Sequence, residues 1–375
     1  MILRRVGSVV LIDDDLADDR RVQRVVNSTP QPVRILDVRD GDQQPGLLRA
    51  LDLVRAAWLV ARGLRNARAR RRQLTEAVPG TQSAFAGLAS CVRATARAVA
   101  ASRRLRQELA VETPALVHAN DLVAGLAVAL AKPDSAVRFV YDSHELQIQR
   151  HRQAGWLRIL IEHDHERRVL EAAQEVLTVN RAVARAMQRI HPALENCPTV
   201  VLNDLYAHRE IPTPESTRRP ALVYIGKGTR GRLLERLDAP PDQLGFAVHL
   251  WLLGSRLPAE VGGQHFAQGA ISYEAEVMQL CAERRCLMWC ALDLRSLSYR
   301  LATPNKLFQA LALGMPIVAT SGSYLEQIVL QHGIGVIDDG DLPGLAKRVQ
   351  TAEYVRWVAN VKTLRERLRS GAAGL

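Results

Sequence analysis

The 375-residue chain sets 50 Lys and Arg against 39 Asp and Glu, a net charge of +11, with 47% hydrophobic and 5% aromatic residues. It is long enough for two domains, and no apolar run approaches the ~20 residues of a membrane span. Dispersed arginines with so few aromatics argue against a nucleic-acid binder.

Residues 6–12 form an apolar run cut off by Asp13-Asp14-Asp15, too short for a signal peptide. A cytoplasmic location is expected, with contact at a membrane surface left open. A helix follows from about residue 17, then a strand at 33–38. Residues 47–72 carry leucines, Val54, Trp58 and Val60, followed by arginines at 62, 65, 68, 70, 71 and 72, and 92–106 repeat the theme. Such a helix either turns an apolar face to the core and an arginine face to water, or lies on anionic lipid. Strands are predicted near 115–118, at 137–141, 176–179 and 199–202, with helices at 121–131 and 181–189. Residues 205–220, with Pro212, Pro214 and Pro220, read as a linker.

The second half repeats the alternation. Strands are predicted at 221–225, 249–253, 286–292, 317–320 and 335–337, and helices at 274–283, 307–313, 325–330 and 341–369. Strands alternating with helices imply parallel sheets with ligands at the strands' carboxyl ends. The expected organisation is a first domain over 1–205, a second over 206–345, and a helix over 346–375 that crosses back to the first.

Only five of the 50 basic residues are lysine: 132, 227, 306, 347 and 362. An arginine- and alanine-rich chain of this kind is what a high-GC genome such as an actinomycete's encodes, so a lysine inside a motif carries information. The five cysteines (91, 197, 281, 286 and 290) lack a zinc-site spacing and read as free thiols.

Residues 303–320, TPNKLFQALALGMPIVAT, combine a polar turn, a short amphipathic helix ending at Gly314 and a β-branched strand. A helix N-terminus with an amide and an ammonium suits an anionic or polyhydroxylated ligand. The segment resembles the Pro-Asn-Lys-Leu-Phe-Glu signature of glycosyltransferase family 4. Val140-Tyr141-Asp142-Ser143-His144-Glu145 resembles that family's Tyr-Asp-x-His-Glu turn, and Val117-His118-Ala119-Asn120-Asp121 its Val-His element, although Asp121 also suits a helix N-cap. The first turn, Asp13 to Val22, resembles its Asp-Pro-Arg-Val element, with Arg21 as the matching arginine.

The resemblance implies a GT-B fold, two doubly wound Rossmann-like domains facing a central cleft. It also implies a retaining transferase that takes a sugar from a nucleoside-diphosphate sugar. His144 would contact the donor sugar. Gly226, Lys227, Arg230, Asn305, Lys306, Gln309 and Glu326 would hold the donor. No Asp-x-Asp pair is placed for a metal, so no metal or other cofactor is expected.

On the acceptor side, Asp14, Asp15 and Asp19 either attract an amino-bearing small molecule, such as a natural-product precursor, or cap a helix. A lipid-linked or cell-envelope acceptor would instead suit 47–72. The chain departs from the family at its glutamate pair, where Leu301 and Gln309 stand. That departure keeps a degenerate, non-catalytic partner protein as the alternative of another class. A nucleotide-sugar epimerase is the rival among enzymes.

Overall fold

The computed structural model describes residues 7–13, 20–29, 33–43, 46–67, 87–148, 155–194, 197–202, 218–229, 231–252, 266–268 and 273–371. The chain divides into two compact units, Met1–Leu202 and Asn203–Leu375.

Among the described residues of the first unit six strands form one parallel sheet: β1 (Ser8–Ile12), β2 (Val33–Asp37), β3 (Leu116–Asn120), β4 (Arg138–Ser143), β5 (Glu175–Thr178) and β6 (Thr199–Val200), in the order β2-β1-β3-β4-β5-β6. Strand β1 reads SVVLI and is buried at every position, as expected of a parallel strand covered on both faces. The helices are α1 (Arg20–Ser28), α2 (Gly46–Ala67), α3 (Leu88–Val111), α4 (Asp121–Ala131), α5 (Trp156–Ala172) and α6 (Arg181–Ile190). The chain moves outward from β1 to β2, then returns to β3 and runs the other way. The topological switch point therefore lies between β1 and β3. Register sets Asn120 beside Asp142 at the carboxyl ends of β3 and β4.

The second unit holds β7 (Ala221–Gly226), β8 (Ala247–Leu252), β9 (Phe266–Gln268), β10 (Cys286–Trp289), β11 (Ile317–Thr320) and β12 (Gly335–Asp338), all parallel, in the order β12-β11-β10-β7-β8-β9. Two three-strand halves run outward from β7 and β10, so the switch point lies between those two strands. The helices are α7 (Pro241–Leu244), α8 (Tyr273–Glu283), α9 (Leu297–Leu301), α10 (Asn305–Leu313), α11 (Tyr324–His332), α12 (Leu342–Val349) and α13 (Ala352–Arg369).

The single helix expected over 341–369 is two helices. Thr351 interrupts it, its side chain capping α13 by accepting from the Glu353 N–H. Helix α13 packs on α10, α11 and α12. Its Tyr354, Trp357 and Val358 join Leu222, Leu250, Trp289 and Val318 in the second unit's core.

Segment 303–320 folds nearly as expected, but the helix starts two residues early and takes in Asn305 and Lys306. It ends in a Schellman motif: the Gly314 N–H donates to the Leu311 carbonyl and the Met315 N–H to the Ala310 carbonyl. Gly314 has φ +67 and nothing within 4 Å of where a Cβ would stand. Gly314→Ala therefore meets only backbone strain, about 1 kcal/mol. At Gly335 an added Cβ would stand 2.0 Å from the Ile317 carbonyl oxygen, so Gly335→Ala must part β11 from β12. Urea unfolding is expected to rank the second variant well below the first.

Candidate active site

In the first unit the chemistry gathers at the carboxyl ends of β3 and β4. Arg21, on α1, is buried, and its guanidinium grips the Asp142 carboxylate with two hydrogen bonds. One runs from Nε to Oδ2 at 3.0 Å, and Nη2 makes the other to Oδ1. Its Nη1 donates to the Val201 carbonyl at 2.8 Å, tying α1 to the chain after β6. His118 Nε2 stands 3.5 Å from Asp142 Oδ2. Burial alone would push the Asp142 carboxyl up. The Arg21 charge and the nearby imidazoles of His118 and His144 outweigh it and hold the group well below the usual carboxylate range.

His144 sits between two carboxylates. Its Nε2 is 3.8 Å from Asp142 Oδ2 and its Nδ1 3.9 Å from Asp121 Oδ2, with the side chain 16% exposed. Asp121 opens its helix, one residue after Asn120. It is the first helical residue, at φ +63, and its Oδ1 accepts from the His144 N–H at 3.1 Å and Gln147 Nε2 at 2.8 Å. An aspartate tolerates this left-handed backbone better than most residues, and the turn aims its carboxylate at the histidine. Of the acidic first turn only Asp13 is described, and it pairs with Arg97 at 3.2 Å. Asp14, Asp15 and Asp19 lie outside the described residues, as does Arg230 in the second unit.

In the second unit the centre is Lys306. It lies in the first turn of α10 and is 9% exposed. Its ammonium stands 4.5 Å from the Tyr224 ring centroid. Gly226 makes the room: at φ +145, a Cβ there would come 3.1 Å from Lys306 Nζ. Tyr224 and Gly226 end β7 and Cys290 follows β10, so Lys306 reaches the switch point of this sheet. Among the described residues no carboxylate pairs with it. Burial first, then the Arg232 charge, push its pKa down to about 7, with Cys290 acting weakly the other way. A buried charge is normally paired, and among the described residues the ammonium has only the Tyr224 ring as a partner.

The other expected donor residues are placed as follows. Lys227 is exposed, and its carbonyl accepts from the Tyr224 hydroxyl at 2.7 Å. Asn305 is exposed at the start of α10, and Gln309 is buried one turn on. Glu326 belongs to the cap of α11: its carboxylate accepts from Ser321 Oγ and the Gly322 N–H, while its own N–H donates to Ser323 Oγ.

Reading the sequence missed Arg232, whose guanidinium lies 5.0 Å from the Tyr299 ring centroid, and it gave Asp142 no role. The arginine lies one residue past Gly231, where a cation after a glycine turn could have drawn notice. Asp142 carried no such signal. Among the described residues no cluster of His, Cys, Asp and Glu is placed to hold a metal ion. A cavity of about 440 Å³ opens elsewhere, at the amino ends of β5 and β6, lined by Arg167, Glu175, His191 and Thr199.

Two Rossmann-like units, each with its polar groups at the strand carboxyl ends, define the GT-B architecture. Known proteins agree. Residues 54–203 match the model Glycosyltransferase Family 4, and residues 291–373 match the Glucosyltransferase 3-like, C-terminal domain. The chain is a glycosyltransferase.

No curated protein sequence matches it. Among solved structures, Anabaena HepE in complex with UDP is similar at TM-score 0.52 and 13% identity, over 96% of this chain and 95% of that one. HepE in complex with UDP-glucose gives 0.51 and 14%, over 97% and 95%. Sucrose-phosphate synthase from Thermosynechococcus elongatus gives 0.51 and 16%, over 73% of each chain.

Proposed function

We propose that the chain is a metal-independent, retaining glycosyltransferase that takes its sugar from a nucleoside-diphosphate sugar. The bond from the sugar C1 to the diphosphate breaks. A bond from C1 to an acceptor oxygen or nitrogen forms on the same face, and the acceptor's proton passes to the departing diphosphate. The observation that carries this reading is the buried ammonium of Lys306, with no carboxylate among the described residues beside it, at the switch point of a nucleotide-binding type of sheet. Charge builds on the leaving diphosphate, and a fixed cation at a helix N-terminus stabilises it where a metal otherwise would. Arg232 supplies a second cation beside it.

His144, braced by Asp121 and Asp142, suits a sugar contact in the transition state. The UDP and UDP-glucose complexes of HepE favour a uridine nucleotide. The acceptor belongs at the first unit's strand ends. An amino-bearing natural-product precursor rests on Asp14, Asp15 and Asp19 in the sequence alone.

Isothermal titration with UDP, GDP and dTDP tests the reading, and UDP is expected to bind most tightly. Binding of none of the three would leave a non-catalytic partner protein as the better account. His144→Ala is expected to leave UDP affinity unchanged while lowering turnover roughly a hundredfold. An equal loss in both would make His144 a structural residue.

A further inference from the structure

Helix α2 carries two apolar stripes, and only one of them is covered. Ala56, Leu59, Val60 and Gly63 are buried together with Asp52, on the side that packs against α3 and α5. At 3.6 residues per turn, Leu47, Leu51, Val54 and Trp58 fall on the opposite side. They are 76, 55, 68 and 52% exposed. Among the described residues ten large apolar side chains are exposed, and six belong to this helix, Leu48 and Leu53 being the other two. An apolar surface of this continuity marks an interaction site.

Charge selects the occupant. Arg49, Arg55, Arg62 and Arg65 are all exposed on the same helix, and the Arg62 guanidinium lies 5.4 Å from the Trp58 ring centroid. The only acid of the helix, Asp52, is buried and held by Arg103 at 2.6 Å. The open side of the helix is thus apolar and cationic, with no acid of its own on it. A second copy seated there would bring the same arginines against themselves. An anionic bilayer offers what this surface lacks, acyl chains for the stripe and phosphates for the arginines.

We propose that α2 lies flat on an anionic lipid surface. Leu47, Leu51, Val54 and Trp58 sink into the acyl boundary, and Arg55, Arg62 and Arg65 reach the headgroup phosphates. This does not rest on the transferase reading, since lipid binding is measured without donor or acceptor.

The test is flotation of the full chain with vesicles of equal parts phosphatidylglycerol and phosphatidylcholine, against phosphatidylcholine alone. The chain is expected to float with the first and not the second. The triple variant Arg55→Gln, Arg62→Gln, Arg65→Gln is expected to partition roughly 100-fold less. The triple variant Leu51→Gln, Val54→Gln, Trp58→Gln is expected to lose flotation. Every substituted side chain is exposed, so both variants should keep the wild-type circular dichroism. Flotation indifferent to both variants would overturn the proposal, as would no flotation at all. A wild-type chain that dimerises through this face without floating would overturn it in favour of a second copy.

Discussion

Lys306→Met is expected to make the protein more stable and nearly inactive. The two effects have one cause. Holding an ammonium in a buried site displaces its pKa from 10.5 to about 7, and each unit of that displacement is worth about 1.36 kcal/mol. Methionine fills a similar volume without charge and keeps a favourable contact with the Tyr224 ring. Allowing for the lost cation–π attraction, the variant should gain about 2–3 kcal/mol, a rise in Tm on the order of 5 °C or more for a unit of this size. Removal of one preorganised donor to the departing diphosphate is expected to lower kcat/KM about 10²–10³-fold.

The pH dependence has a definite sign. The folded pKa lies below the unfolded one, so between about 7 and 10.5 the unfolded chain binds more protons. Wild-type stability therefore rises with pH through that window as the buried charge is relieved, and Lys306→Met removes that rise. UDP affinity runs the other way, falling as pH climbs above 7, because the diphosphate must then recruit a proton. Titration in buffers of different ionisation heat reads that proton directly. A variant that loses stability while keeping UDP affinity would remove Lys306 from the donor site.

The fold was legible because parallel strands buried on both faces are written as unbroken β-branched and aliphatic runs. Residues 317–320 and 121–131 fall where the sequence placed them. The break at Thr351 was not visible, since neither glycine nor proline marks it and one hydroxyl cap makes the stop. At the site, scarcity of lysine singled out Lys306. Its burial could not be read, because Tyr224 and Gly226 close over it from a strand some 80 residues earlier. Glu326 stood out as a carboxylate near a strand end, but its local cap holds it. Asp142 was hidden for the opposite reason: its partner Arg21 is 121 residues away, and only the β3–β4 register and the return of α1 to the switch point bring them together. Local signals survive in sequence, and pairings across the sheet do not.

Asp142→Asn is expected to cost the first unit about 3–5 kcal/mol, the penalty for leaving one member of a buried ion pair without its partner. Arg21 and Asp142 are 4 and 1% exposed at their side chains, so no water replaces the lost charge. The effect should reach the chemistry as well, because Asp142 faces both His118 and His144. Turnover should fall at temperatures where the variant is still folded.

The acid dependence follows from the lowered carboxyl. Its contribution is complete above the unfolded value near 3.8 and is lost as pH falls below it, so wild type and variant should converge in that range. A double-mutant cycle separates the pair from its parts. Arg21→Met with Asp142→Leu removes both charges and keeps the volume, and should recover most of the stability lost by either single change. His144 would then lack one of its two carboxylates in a folded protein. Such a variant should bind UDP normally and transfer sugar poorly. Strict additivity in the cycle would mean that the two residues act independently, and the cost of Asp142→Asn would not come from a broken ion pair with Arg21.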